Sequence, residues 1–202
     1  MEKLIKKAEI LLLIIGSFFW MGASRSAIPF YTIVAIIIHE LGHSVLWFIT
    51  SGTKPTLSFQ AGGLLLRSGS SCVSYAKEAS IALGGPAFNL LSARAVSQFT
   101  SRDLQEFGSI SLGLAALNLL PIDEFDGGRI ASSILHLILP FSIAERICDV
   151  LSFLSVFFIW SLSVYVLIKT GRNVSFFIFS AIIFLKLFLP THRKSICEII
   201  KE

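Results

Sequence analysis

Apolar residues occupy most of this chain in long runs, and the short polar breaks between them set its organisation. One run, Ile10 to Trp20, follows Lys3, Lys6 and Lys7. A second extends from Ala27 to Thr50, and a third, less apolar, from Ala76 to about Phe99. A fourth runs from Phe107 to Pro121, breaks at Ile122 to Arg129, and resumes from Ile130 to Pro140; Val150 to Leu167 and Val174 to Pro190 complete the series. About 20 apolar residues in a helix cross the roughly 30 Å of a bilayer's hydrocarbon core. The pattern predicts an all-α polytopic membrane protein of about six transmembrane helices, with a broken fourth span and a short β-hairpin after the second. The hairpin is expected in the longest polar region, Ser51 to Tyr75, where Thr56 to Gln60 and Leu64 to Arg67 flank the turn Ala61-Gly62-Gly63.

The first run reads as an uncleaved span, because Leu4 and Ile5 lengthen it and the lysine stems can snorkel, although Gly22-Ala23-Ser24 would also suit signal cleavage. The third run holds Arg94 deep inside and the string Gly84-Gly85-Pro86-Ala87-Phe88-Asn89. Glycine and proline within a span let helices approach closely and free backbone groups that neighbours must satisfy. Neither half of the fourth run spans alone, and its charged middle is tolerable at membrane depth only if it lines a protein cavity.

Of the 202 residues 54% are hydrophobic and 15% charged, against about 25% charged in an ordinary soluble domain. The net charge of +4 does not indicate nucleic acid, because the lysines and arginines sit at segment ends rather than in a patch. Their distribution places both termini in the cytoplasm. The three cysteines, Cys72, Cys148 and Cys197, read as free thiols. With no repeat or second soluble region, residues 1–202 read as one integral-membrane domain, with a core at about 27–140, two further spans over 150–190 and no separate regulatory domain.

Within the second run stands His39-Glu40-Leu41-Gly42-His43. Histidines at i and i+4 share a helical face and can reach one metal ion, and the carboxylate beside the first can activate a water. A charged residue at bilayer depth costs about 2.5–3.5 kcal/mol on insertion scales, so such groups are functional by default. A catalytic zinc takes three protein ligands. Asp126 is the best candidate for the third, with Gly127 and Gly128 behind it allowing the backbone to approach a neighbouring helix; Asp123 and Glu124 are its rivals. Arg129 is read as steadying a carboxylate rather than performing chemistry. Asn118 and Asn89 are candidates for contacts to an oxyanion or substrate, or for satisfying backbone freed by Pro121 and Pro86.

Asn118-Leu119-Leu120-Pro121, Asp126-Gly127-Gly128-Arg129 and the H-E-L-G-H string together closely resemble the site-2 protease family of intramembrane zinc metalloproteases. Gly85, Pro86 and Asn89 match that family's Gly-Pro-x-x-Asn element. The resemblance covers about residues 27 to 140. It is nearest the compact bacterial branch that processes sporulation sigma-factor precursors, which often carries a C-terminal regulatory domain where this chain has Arg193 to Glu202. It implies one Zn2+ per chain on His39, His43 and Asp126, with Glu40 as general base, in a bacterial cytoplasmic membrane. It also implies hydrolysis of a peptide bond in or near a transmembrane segment of a single-span or membrane-tethered protein substrate, with a regulatory membrane protein as a further partner. The competing readings are a membrane zinc carrier or sensor, for which Glu40 is dispensable, and an inactive scaffold that binds transmembrane helices.

Overall fold

The computed structural model describes residues 27–51, 56–60, 63–67, 74–171 and 174–188. The expected first span, Cys72, Cys197 and the basic tail lie outside the described residues. In chain order the elements are α1 (Ile28–Ser51), β1 (Thr56–Gln60), β2 (Gly63–Arg67), α2 (Tyr75–Val96), α3 (Arg102–Asn118), α4 (Asp126–Ile138), α5 (Phe141–Thr170) and α6 (Val174–Phe188). The two strands pair antiparallel, Thr56 opposite Arg67 and Gln60 opposite Gly63. The chain forms two compact units: Met1–Gly69 with Ser80–Leu119, and Ser70–Ala79 with Leu120–Glu202. The first turn of α2 thus counts with the second unit and the rest with the first.

In the first unit α1 packs against α3, with Tyr31 edge-on to Phe107 at 6.5 Å. Ala35, His39, Gly42, His43 and Trp47 form the buried face of α1. Its outer face shows Ile37, Leu41, Phe48 and Ile49. A soluble surface helix exposes polar residues; α1 instead exposes apolar ones and turns its two histidines inward. Gly42 and Gly84 bring α1 and α2 into backbone contact, since a Cβ on either would meet the other's carbonyl.

In the second unit α5 packs against α4 and α6, around Ile122, Val156, Ile159 and Ile183. Ser163 and Ser180, 2.6 Å apart, bond α5 to α6, and Trp160 stacks on Phe184 at 5.1 Å. Leu139 is extended, as a residue preceding proline tends to be, so α4 stops and α5 starts anew after Pro140. Gly171, at φ 60°, ends α5 in the left-handed conformation. Among the described residues, α1 and α5 are the two helices long and apolar enough to cross a membrane.

Three boundaries differ from expectation. α2 ends at Val96, which puts Arg94 in its last turn, exposed and donating to Ser97 Oγ at 3.2 Å. There its charge suits the helix dipole. α5 starts at Phe141 rather than near Val150, because helix propensity carries it through the charged stretch Glu145 to Asp149. The break in the fourth run lies at Leu119–Phe125, starting three residues earlier and ending four residues earlier than expected. Asp126 therefore opens a helix instead of projecting from unwound chain. Gly128 makes its close approach to the carbonyl of Ile122 in the preceding loop, not to another helix.

Candidate metal centre

His39 and His43 stand one turn apart on α1, each 6% exposed. Their Nε2 atoms are 3.1 Å apart, with the rings edge to face at 83°. Two nitrogens bound at about 2.0–2.1 Å to a tetrahedral zinc lie roughly 3.3 Å from each other. The spacing therefore fits ligands of one ion, and two imidazole lone pairs this close in a buried place repel unless a cation or a proton shares them.

The second ring nitrogens decide the tautomers. His43 Nδ1 lies 2.8 Å from the carbonyl oxygen of Ile81 and so carries the ring proton, which makes Nε2 the lone-pair nitrogen. The N–H of Gly85 is 3.3 Å from the same Nδ1, but two donors cannot bond each other and the shorter carbonyl contact prevails. Pro86 has no N–H to close the ladder of α2 at this level, and the Ile81 carbonyl lies in the adjoining turn. His39 Nδ1 is 3.2 Å from the side-chain nitrogen of Asn89, whose fully buried Oδ1 has no partner in this orientation. A half-turn of the amide puts Oδ1 on His39 Nδ1–H. That turn satisfies the oxygen and presents the His39 Nε2 lone pair. The residues thus fit a divalent metal of the zinc class.

α2 is pressed against this pair of rings. A Cβ on Gly85 would overlap Nε2 of both histidines, so only glycine leaves room for an ion there. The Asn89 carbonyl lies 3.1 Å from Ser111 Oγ on α3 and 2.9 Å from Ser92 Oγ, and the two hydroxyls, 2.8 Å apart, bond each other. Glu40, next to His39 and half-buried, sits about 100° further round α1.

The remaining candidates are spread differently. In the second unit Asp126 is 6% exposed, and the N-terminus of α4 favours its negative charge. Its rivals Asp123 and Glu124 are exposed. Arg129 Nη1 is 3.4 Å from Asp126 Oδ1, while its Nη2 bonds Glu78 Oε1 at 2.6 Å. Asn118 donates one amide hydrogen to Leu114 O at 3.0 Å, back along its own helix.

Sequence reasoning missed Gly42, the Ile81 carbonyl and Glu78. Gly42 had a visible sign, a small residue inside the histidine motif facing the glycines of the next span. Glu78 had only its charge in an apolar helix. A main-chain acceptor leaves no trace in residue identity.

Residues 92–162 match the family model of Peptidase family M50. The match takes in Asn118 to Pro121 and Asp126 to Arg129 and leaves out the histidine motif. A comparison with curated proteins gives no match. Among solved structures the chain is similar to the site-2 protease from Methanocaldococcus jannaschii, with a TM-score of 0.54 and 19% identity over 91% of this chain and 86% of that one. The likeness to site-2 proteases read from the motifs therefore recurs in the sequence profile and in the fold.

Proposed function

We propose that this chain is an intramembrane zinc metalloendopeptidase that cuts a membrane-tethered protein in or near its transmembrane segment. The observation that carries the reading is the histidine pair: two buried Nε2 atoms 3.1 Å apart, with Nδ1–H of His43 held on a carbonyl and a glutamate beside His39. In this reading His39, His43 and Asp126 form the ligand set, two imidazoles and a carboxylate. Support for Asp126 is its burial, which Asp123 and Glu124 lack, and its place in the segment that matches the peptidase family.

Zinc, when bound, polarises a peptide carbonyl and lowers the pKa of its water towards about 7. Glu40 takes the proton of the attacking water and passes it to the leaving amine. Asn89 orients His39 through Nδ1, and the Ile81 carbonyl does the same for His43. A transmembrane substrate hides its scissile carbonyl in a helical hydrogen bond and must be locally unwound. An edge of the β1–β2 hairpin can hold the extended segment by strand addition; proline at Gln60 or Leu65 should then lower cleavage. The chain crosses the bilayer about six times with both termini in the cytoplasm.

Comparing membrane proteomes of cells carrying the wild-type chain and Glu40→Gln tests the reading. A tethered protein that accumulates uncut only in the variant, with zinc still bound, is the expected result. An unchanged proteome with normal function of the variant would favour a zinc carrier or scaffold.

A further inference from the structure

Arg129 stands between two carboxylates and does not treat them equally. Its Nη2 and Nε both point at Glu78 Oε1, at 2.6 and 3.1 Å, whereas Nη1 reaches Asp126 Oδ1 only at 3.4 Å. Charge-assisted N–H···O bonds lie near 2.7–2.9 Å; by that measure the guanidinium belongs to Glu78, and Asp126 is at the outer limit of its reach. The side chains are 22% exposed for Glu78, 38% for Arg129 and 8% for Asp126. The strong pair lies nearer to water, and the carboxylate that Arg129 reaches only at the longer distance is the most buried of the three.

This division matters if Asp126 binds metal, a premise taken from the proposed function. A guanidinium that closed on Asp126 would occupy the carboxylate lone pairs that a cation needs and would set a positive charge beside it. We propose that Glu78 is a positioning residue for the metal centre: it holds Arg129 on the far carboxylate and so keeps Asp126 available as a ligand. Nothing in the family motifs points to Glu78, which is in the first turn of α2. Arg129 is then a group that has to be restrained, and its removal should cost little metal affinity.

The test is zinc affinity of the detergent-solubilised full chain, measured by competition with a chromogenic chelator and accompanied by a thermal melt of the metal-free form. Glu78→Gln should weaken zinc on the order of tenfold, the lower end of what partners of metal ligands contribute. Glu78→Asp should retain most of the affinity. Arg129→Met alone should bind zinc about as tightly as wild type, and Arg129→Met added to Glu78→Gln should restore what the first change removed. If instead Arg129→Met loses zinc as severely as Glu78→Gln, or the double variant is no better than the single, the pair is only a structural tie and the proposal is wrong. Asp126→Asn separates the premise from the inference. It should lose zinc; wild-type affinity there would overturn the ligand reading and the proposal with it, whereas zinc loss there with an unaffected Glu78→Gln would overturn the proposal alone.

Discussion

The histidines and the aspartate proposed to share one ion are held by different kinds of force. His39 and His43 sit within a continuous helix, and neutral groups orient their rings: the Ile81 carbonyl, the Asn89 amide and the bare backbone of Gly85. Asp126 starts a helix after a seven-residue break, and its neighbour is a cation shared with another anion. The second unit also has a tight glycine, Gly128, but its contact is with the Ile122 carbonyl in the loop, not with the ligand. The histidine side should therefore be sensitive to added volume and the aspartate side to altered charge.

The largest effect expected from this contrast is at Gly85. A methyl group there would overlap both Nε2 atoms, and α2 would have to move off α1 to admit it. Gly85→Ala should lower zinc affinity by about 100-fold or more, the upper end for changes around a metal ligand, and cost about 1–3 kcal/mol from overpacking. Zinc per chain by elemental analysis and a thermal melt would measure both. Gly113→Ala is the control: a Cβ there has nothing within 4 Å, and replacing a helical glycine should leave zinc unchanged and stabilise by about 0.4–1 kcal/mol. Equal zinc loss in the two variants would remove the claim that volume at the histidines is what matters.

Next in size is Asn89. Its amide oxygen, turned to His39 Nδ1–H, selects the ring tautomer that presents Nε2. Asn89→Leu keeps the approximate volume but removes the acceptor, and should weaken zinc by roughly 10–100-fold. Asn89→Asp supplies an acceptor and should weaken it much less. The ordering of these two variants in a chelator competition decides between an orienting and a space-filling role; similar losses would mean the latter.

What could be read in the sequence follows the same division. The histidine motif, the Gly84-Gly85-Pro86 string and the broken run were visible because each is made of side-chain identity or periodicity: two imidazoles four residues apart, small residues inside an apolar run, charges where apolar residues should be. The segment boundaries were less visible. α5 runs back to Phe141, since a helix can continue through Glu145, Arg146 and Asp149 when these stay at its exposed or half-exposed positions, while a hydrophobic run stops at the first charge. The contact of Arg129 with Glu78 joins residues 51 apart and has no local signature. Asp126 was expected to project from an unwound stretch, but it opens α4 and is buried there.

The smallest effect lies one contact further from the histidines. Ser111, fully buried on α3, and Ser92 lie 3.1 and 2.9 Å from the Asn89 carbonyl with their hydroxyls 2.8 Å apart, so that one hydroxyl bonds the other and the second bonds the carbonyl. Ser111→Ala removes its bond with Ser92 and leaves Ser92 to bond the carbonyl, so it should cost about 0.5–1.5 kcal/mol, the net worth of one ordinary hydrogen bond. Zinc affinity should not change, because the Asn89 side chain still meets His39. The melt should thus shift while the chelator competition does not. A tenfold loss of zinc in Ser111→Ala would show that the histidine side depends on how α3 holds the Asn89 backbone as well as on its nearest partners, and the contrast with the charge-held aspartate would then be one of degree.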